Sequence, residues 1–176
     1  MSTKPPTNSL SLRLAGPEAV TPERSLAFFW ENRDFFARWD PPRPPVFYTP
    51  ERQRQYLLEE AAENAAGTAL YRYLCRPGEE EILGYLHLTG VEQGPPGPTA
   101  ELGYKLARSA AGQGLMTAAV RQLLAEGRGR LGLMAVTATV HPENLPSRRL
   151  LERLGAVCTA DSGKEMRYLL SPVLSH

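Results

Sequence analysis

The chain has 176 residues, long enough to bury a core without disulfide or metal support, and its 42% hydrophobic and 22% charged content is that of an ordinary folded globular protein. Twenty basic residues against 19 acidic ones leave a formal charge of +1, so no bulk field draws the molecule to nucleic acid or to an anionic membrane. No uncharged apolar run approaches transmembrane length, and residues 1–11 place polar side chains where a secretion signal needs a continuous apolar block. Cys75 and Cys158 stand far apart with no CxxC spacing and no neighbouring histidine. Both are expected to be buried thiols rather than a disulfide, zinc site or nucleophile, in a reducing compartment, most simply the cytoplasm.

Residues 1–9, polar with two prolines, read as a loose tail, followed by one domain over 10–176. Leu10, Leu12 and Leu14 alternate with polar residues and predict a half-buried strand. Thr21-Pro22-Glu23 opens a helix: threonine caps, proline suits the first helical position and glutamate favours the positive end. Leu26, Phe29, Trp30 and Arg33 follow at helical spacing. A second aromatic turn, Phe35, Phe36 and Trp39, leads into Pro41-Pro42-Arg43-Pro44-Pro45, which excludes helix and inner strand. Thr49-Pro50-Glu51 repeats the start signal for a helix carrying Leu57, Leu58, Ala61, Ala62 and Ala65 and ending at Gly67.

From Thr68 the period changes to two. Ala69, Tyr71, Tyr73 and Cys75 share one strand face, Pro77-Gly78 turns the chain, and Ile82 to Leu88 returns as the partner strand. Val91–Pro98 is expected to be a loop, Thr99–Leu106 a strand, and the helix beyond the following glycines buries Met116, Ala119, Val120, Leu123 and Leu124. A strand over Leu133–Thr139, a capped helix from about Pro142 to Gly155 and two short β-runs around Ser162-Gly163-Lys164 complete the chain. The order β-α-α-β-β-β-α-β-α-β-β implies a mixed, mostly antiparallel α/β sheet with helices on both faces.

Between Arg108 and Met116 the chain reads Arg-Ser-Ala-Ala-Gly-Gln-Gly-Leu-Met, with no acidic side chain near the helix start. Consecutive amides unobstructed by bulky side chains at a helix N-terminus form an anion site. The pattern is neither a P-loop, since no Lys-Ser or Lys-Thr follows, nor a Rossmann fingerprint, which needs three glycines and a later ribose-binding acid. A pyrophosphate is the expected ligand; a mere tight turn is the plainer alternative.

Glu101-Leu-Gly-Tyr104, Leu106-Ala107, Gly112-Gln-Gly-Leu-Met-Thr117 and Pro142-Glu-Asn-Leu-Pro-Ser147, with Leu150-Leu151 and Leu154-Gly155 beyond it, together resemble the RimJ/RimL-like branch of the GNAT N-acetyltransferase superfamily. The resemblance implies the GNAT acyl-CoA fold, acetyl-CoA as co-substrate and no metal. It implies that amides over Ser109, Ala110, Ala111, Gly112, Gln113, Gly114, Leu115 and Met116 hold the CoA pyrophosphate. Main chain around Leu106 would pair with pantetheine, and Asn144 and Ser147 would lie near the cofactor arm and thiol. Ser109 stands where the superfamily often has Gln or Arg, Ala111 where it has an aromatic, Leu151 where many members carry a tyrosine, and Ala156 where the family has Phe. These departures leave the phosphate cradle in place and remove the usual tyrosine acid.

A free α-amine of pKa 7.7–8.0 is about one-tenth neutral at pH 7, whereas lysine is neutral about once in several thousand. An α-amine acceptor therefore needs only modest base help, and the leaving thiol little protonation. Glu101 is the expected base, sharing a strand face with Gly103, whose missing side chain leaves room beside it; a solvated strand-end glutamate is its plain alternative. Ser147 is the expected donor to the thiol, set against a serine that only bonds backbone in a first helical turn. His87 is a weaker inward-facing substrate residue or base, and His141 reads as structural. Trp39, Tyr48 and the five prolines of Pro41–Pro50 are expected to form an ordered lip of the acceptor pocket. The activity expected is acetyl transfer to a protein N-terminal α-amine or a small-molecule amine, by a monomer or homodimer with no nucleic-acid or membrane partner. A catalytically silent CoA-binding sensor and a protein-interaction module working through the proline-rich lip are the rival readings.

Overall fold

The computed structural model describes residues 11–171. Within them, strands β1 (Arg13–Ala15), β2 (Leu70–Cys75), β3 (Ile82–Glu92), β4 (Thr99–Leu106), β5 (Ala135–Val140), β6 (Val157–Asp161) and β7 (Met166–Leu170) form one sheet in the order β1-β2-β3-β4-β5-β7-β6. Every pairing is antiparallel except β4 with β5. The helices are α1 (Pro22–Glu31), α2 (Arg33–Phe36), α3 (Pro50–Ala66), α4 (Leu115–Leu131) and α5 (Leu145–Arg153), the mixed architecture that the element order implies.

Local chemistry sets the helix ends. Thr21 accepts from the amide of Arg24 and Thr49 from that of Arg52, each at 3.3 Å, with proline in the first turn of both helices. Gly67, at φ 70°, terminates α3 in the left-handed region. α1 and α3 cover one face of β2–β4, where Phe29 meets Tyr85 and Glu60 meets Tyr73. α4 covers the other face, with its Met116 against Gly84 and its Gly127 against Leu88. Met116, Ala119, Val120, Leu123 and Leu124 are all buried, as their spacing requires.

Several expectations change. The tail over 1–9, and Leu10, lie outside the described residues. β1 starts later than the leucine alternation predicts, and Leu12 and Leu14 are only half-buried because β1 is an edge strand paired with β2 alone. On β2, Leu70, Arg72 and Leu74 are buried as well as Tyr73 and Cys75, because helices pack on both sides. The Arg72 guanidinium is neutralised by Glu126 of α4. β3 extends into the expected Val91–Pro98 loop, since Glu92 pairs with Thr99 across a register shift. α3 turns Gln53, Leu57 and Glu60 inward and leaves Leu58 at 66% exposure. Cys75 is buried as expected. Cys158 is exposed, because β6 is the other edge strand and is solvent-facing along its length.

Candidate active site

Parallel pairing of β4 and β5 stops at Glu101 opposite Thr137. Beyond that point β4 continues to Leu106 beside β3, while β5 continues to Val140 beside β7. The two strands therefore part into a V, leaving the β5-facing backbone groups of residues 102–106 without a strand partner. At its open end the chain turns through Arg108–Ala110 into α4. Gly112 (φ 76°) and Gly114 (φ 74°) both take left-handed conformations, no side chain caps α4, and its first turn holds no acid. A Cβ built on Gly112 meets nothing within 4 Å. Ala110, Leu115 and Met116 point into the core, so only their main chain faces the loop, while Ser109, Ala111 and Gln113 are exposed. Arg76 reaches this loop, donating to Gln113 Oε1 at 2.9 Å.

Alternation along β4 sends side chains to two faces. On the α1/α3 face lie Glu101, Gly103 and Lys105, beside Thr89, His87 and Tyr85 of β3. Glu101 is exposed. The room expected beside it at Gly103 is taken, because the register opposes His87 to Gly103 and an added Cβ there would strike the imidazole. His87 packs between Tyr71 and Tyr85 at 6.0 and 5.5 Å, and its Nδ1 is buried without a hydrogen-bond partner. Burial, reinforced by the positive charges of Lys105 and Arg43, lowers its pKa to about 4 and keeps the ring neutral at pH 7.

On the opposite face Tyr104 meets α5. Asn144 caps that helix, accepting from the Ser147 amide at 3.3 Å, so its side chain is committed to the helix end. The Ser147 hydroxyl is 2.6 Å from the Tyr104 hydroxyl rather than bonded to its own backbone. Burial raises the Tyr104 phenol to about 12, against the lowering effect of the Ser147 contact. Tyr104 escaped the sequence reading, although its opposite parity to Glu101 in one strand placed it on the other side of the V. Leu151 is fully buried in the core.

The proline-rich segment is ordered against the site. A cavity is lined by Phe36, Asp40, Pro41, Pro42, Tyr48 and Lys105, among others, and a neighbouring one by Tyr56, Glu60, Tyr73 and Tyr85; Phe29, Arg43 and Phe47 line both. Asp40 is ion-paired with Lys105 of β4. Trp39 does not line either cavity but packs at a tilt against His141, just beyond β5, with ring centroids 5.4 Å apart. His141 therefore has a partner that its spacing did not reveal. At the base of the second cavity Glu60 accepts from Tyr85 at 2.6 Å and Tyr73 at 2.8 Å. Burial outweighs these bonds and raises its carboxyl to about 7. Among the described residues no group of three or more His, Cys, Asp or Glu could hold a metal, and no helix is long and apolar enough to cross a membrane.

An acetyltransferase (GNAT) domain model matches residues 18–157. The probable N-acetyltransferase YjcK of Bacillus subtilis is 31% identical over 78% of this chain and 76% of its own length. The crystal structure of the ribosomal-protein-S5-alanine acetyltransferase of Vibrio fischeri superposes with a TM-score of 0.81 over 92% of each chain, at 23% identity. RimJ of Mycobacterium smegmatis, solved in complex with CoA-disulfide, has a TM-score of 0.76 over 91% of this chain and 80% of its own, at 22% identity.

Proposed function

Because the chain belongs to the GNAT acetyltransferase family and is an acyltransferase, we propose that it moves an acetyl group from acetyl-CoA to a primary amine by direct attack, with no acyl-enzyme. The observation that carries this reading is the V between β4 and β5, with a carboxylate on one face of β4 and a hydroxyl pair on the other. The residues present fit the co-substrate: two left-handed glycines, an uncapped α4 and open space above Gly112 make a cradle that a Cβ would fill. Amides of Ser109 through Met116 would hold the pyrophosphate, and the backbone near Leu106 would pair with pantetheine. Bound there, acetyl-CoA supplies an activated thioester.

Glu101 removes a proton from the acceptor ammonium, directly or through one water, from its exposed position on the α1/α3 face of β4. Ser147 Oγ donates toward the departing sulfur. The thiolate, whose acid has pKa about 8.5, needs only this hydrogen bond as it leaves and takes its proton afterwards from solvent, since neither an alcohol nor a phenol raised to about 12 is acid enough to protonate it. Tyr104, its hydroxyl 2.6 Å from Ser147 Oγ, holds that serine in place beside the V. Asn144 serves by fixing the first turn of α5. Tyr48 walls the acceptor cavity, Trp39 ties its lip to β5, and His87 presents a neutral nitrogen on the same face as Glu101. The acceptor class is a protein N-terminal α-amine or a small-molecule amine, and the name of the Vibrio fischeri neighbour supports the former.

Thiol release from acetyl-CoA in the presence of N-terminal peptides, polyamines, amino acids and aminoglycosides tests the reading. Glu101→Gln is expected to keep CoA affinity and to lower turnover at pH 7 by about two orders of magnitude, the scale of a positioned base. Partial recovery at high pH should follow, where more of the amine is already neutral. A pH–rate profile that overlays the parent's would exclude Glu101 and leave His87 as the base. CoA affinity without thiol release with any amine would make the protein a binding module.

A further inference from the structure

We propose that Arg43 anchors a carboxylate carried by the acceptor, so that this enzyme selects amines bearing a nearby acidic group. The inference rests on the transfer reading above and adds the acceptor's chemistry to it. Arg43 is the cation shared by the two cavities beside the catalytic face. Its guanidinium lies over the Phe47 ring, 4.9 Å from the centroid, and Phe47 is itself buried against Phe29. Arg43 is otherwise exposed and makes no hydrogen bond within the described residues, so its N–H groups are free to bind a carboxylate through two parallel hydrogen bonds. The flanking Pro41, Pro42, Pro44 and Pro45 restrict the backbone that presents it, so little backbone entropy remains to be lost on binding.

The other charges lining these cavities are engaged. Lys105 is paired with Asp40. Arg33 donates to the Trp30 carbonyl at 2.7 Å and lies 3.8 Å from Asp34. Glu60 is held by two tyrosine hydroxyls. Among the described residues Arg43 has neither an ion-pair nor a hydrogen-bond partner, so it is the cation lining these cavities that the protein itself leaves unpaired. A cationic acceptor such as a polyamine meets repulsion there, whereas an acceptor with a carboxylate beside its amine meets an unpaired guanidinium. The amine would face Glu101 and the acid Arg43.

Matched acceptors read this directly. For the parent enzyme, kcat/KM for Ala-Glu-amide is expected to exceed that for Ala-Gln-amide at least tenfold, with Ala-Lys-amide below both. Arg43→Gln should collapse the acid-to-amide ratio to about one, and Arg43→Glu should turn the preference toward Ala-Lys-amide. Running aspartate α-amide against asparagine α-amide in parallel, neither with a free α-carboxylate, separates the sources: discrimination among peptides alone assigns the carboxylate to a second-residue side chain, and among single amino-acid amides alone to a small molecule. Equal kcat/KM for acid and amide in both series, or a preference that survives Arg43→Gln, overturns the proposal. Were no amine acetylated at all, the transfer reading would fail first. Calorimetric titration of the same peptides into CoA-loaded protein would still register the preference or its absence.

Discussion

At Gly112 the backbone sits at φ 76°, where an L side chain is strained by roughly 1–2 kcal/mol even in open space. The space above it is open because nothing of the protein packs there. Gly112→Val is expected to leave the fold intact and to weaken CoA binding at least tenfold, about 1.4 kcal/mol. Unchanged calorimetric affinity in the folded variant would remove the phosphate cradle from the mechanism. Ser147 and Tyr104 make a different kind of pair, two hydroxyls 2.6 Å apart contributed by residues 43 positions apart. Ser147→Ala should lower kcat about tenfold or more with little change in acetyl-CoA affinity, because the hydroxyl matters when the thiolate departs. Tyr104→Phe keeps the ring in its packing and removes only the hydroxyl, so it should lower kcat on its own yet add almost nothing in the Ser147→Ala background. Additive losses in that double-mutant cycle would mean that the tyrosine acts independently of the serine.

Where β2 and β3 pass beneath α3, two buried titratable groups oppose each other in their pH dependence. Glu60, facing Tyr73, Tyr85, Glu59 and Glu63, titrates near 7 in the folded protein against 4.5 for the free side chain. Its burial thus favours the protonated form, and the stability it contributes is complete below pH 4.5 and lost as pH rises through 7. His87, near Lys105 and Arg43, titrates near 4 against 6.5 when free, so its contribution is present above pH 6.5 and lost as pH falls through 4. The two nearly cancel between pH 4.5 and 6.5. Glu60→Gln should unmask a stability that climbs with pH across that window, and His87→Asn one that declines from pH 4.5 to 7, each on the order of 3 kcal/mol in urea unfolding. Parallel, flat profiles for both variants would mean that neither group is buried as described. These elements also mark what the sequence could carry. The capping threonines, the α4 core stripe and the glycine loop were legible because each is a local device, complete within a few residues. Arg72 with Glu126, Asp40 with Lys105 and His87 over Gly103 were not, since each is created by register or packing between separate elements. Gly103 is the instructive failure: a missing side chain promises space only until the neighbouring strand's residue is known.

Across the whole molecule, the proposed reading has the sheet divide the two substrates' machinery. The glycine loop, α4, α5 and Tyr104 serve one side of the V, and α1, α3, the proline-rich lip and Glu101 the other. The segment Trp39-Asp40 joins them, with Asp40 paired to Lys105 on β4 and Trp39 packed at a tilt against His141 just beyond β5. One short stretch thus fastens the lip to both arms of the V, below the point where their pairing ends at Glu101 and Thr137. Trp39 is 38% exposed, so its removal should disturb the core little. Trp39→Ala is therefore expected to raise the acceptor KM by about three- to tenfold while the melting temperature and the acetyl-CoA Kd stay close to the parent's. Combined with Gly112→Val, the losses should add, because the two residues share no partner. A fall in acetyl-CoA affinity in Trp39→Ala alone would instead mean that the contact orders His141 and the start of α5 for the thiol, and that the lip belongs to the donor side of the site.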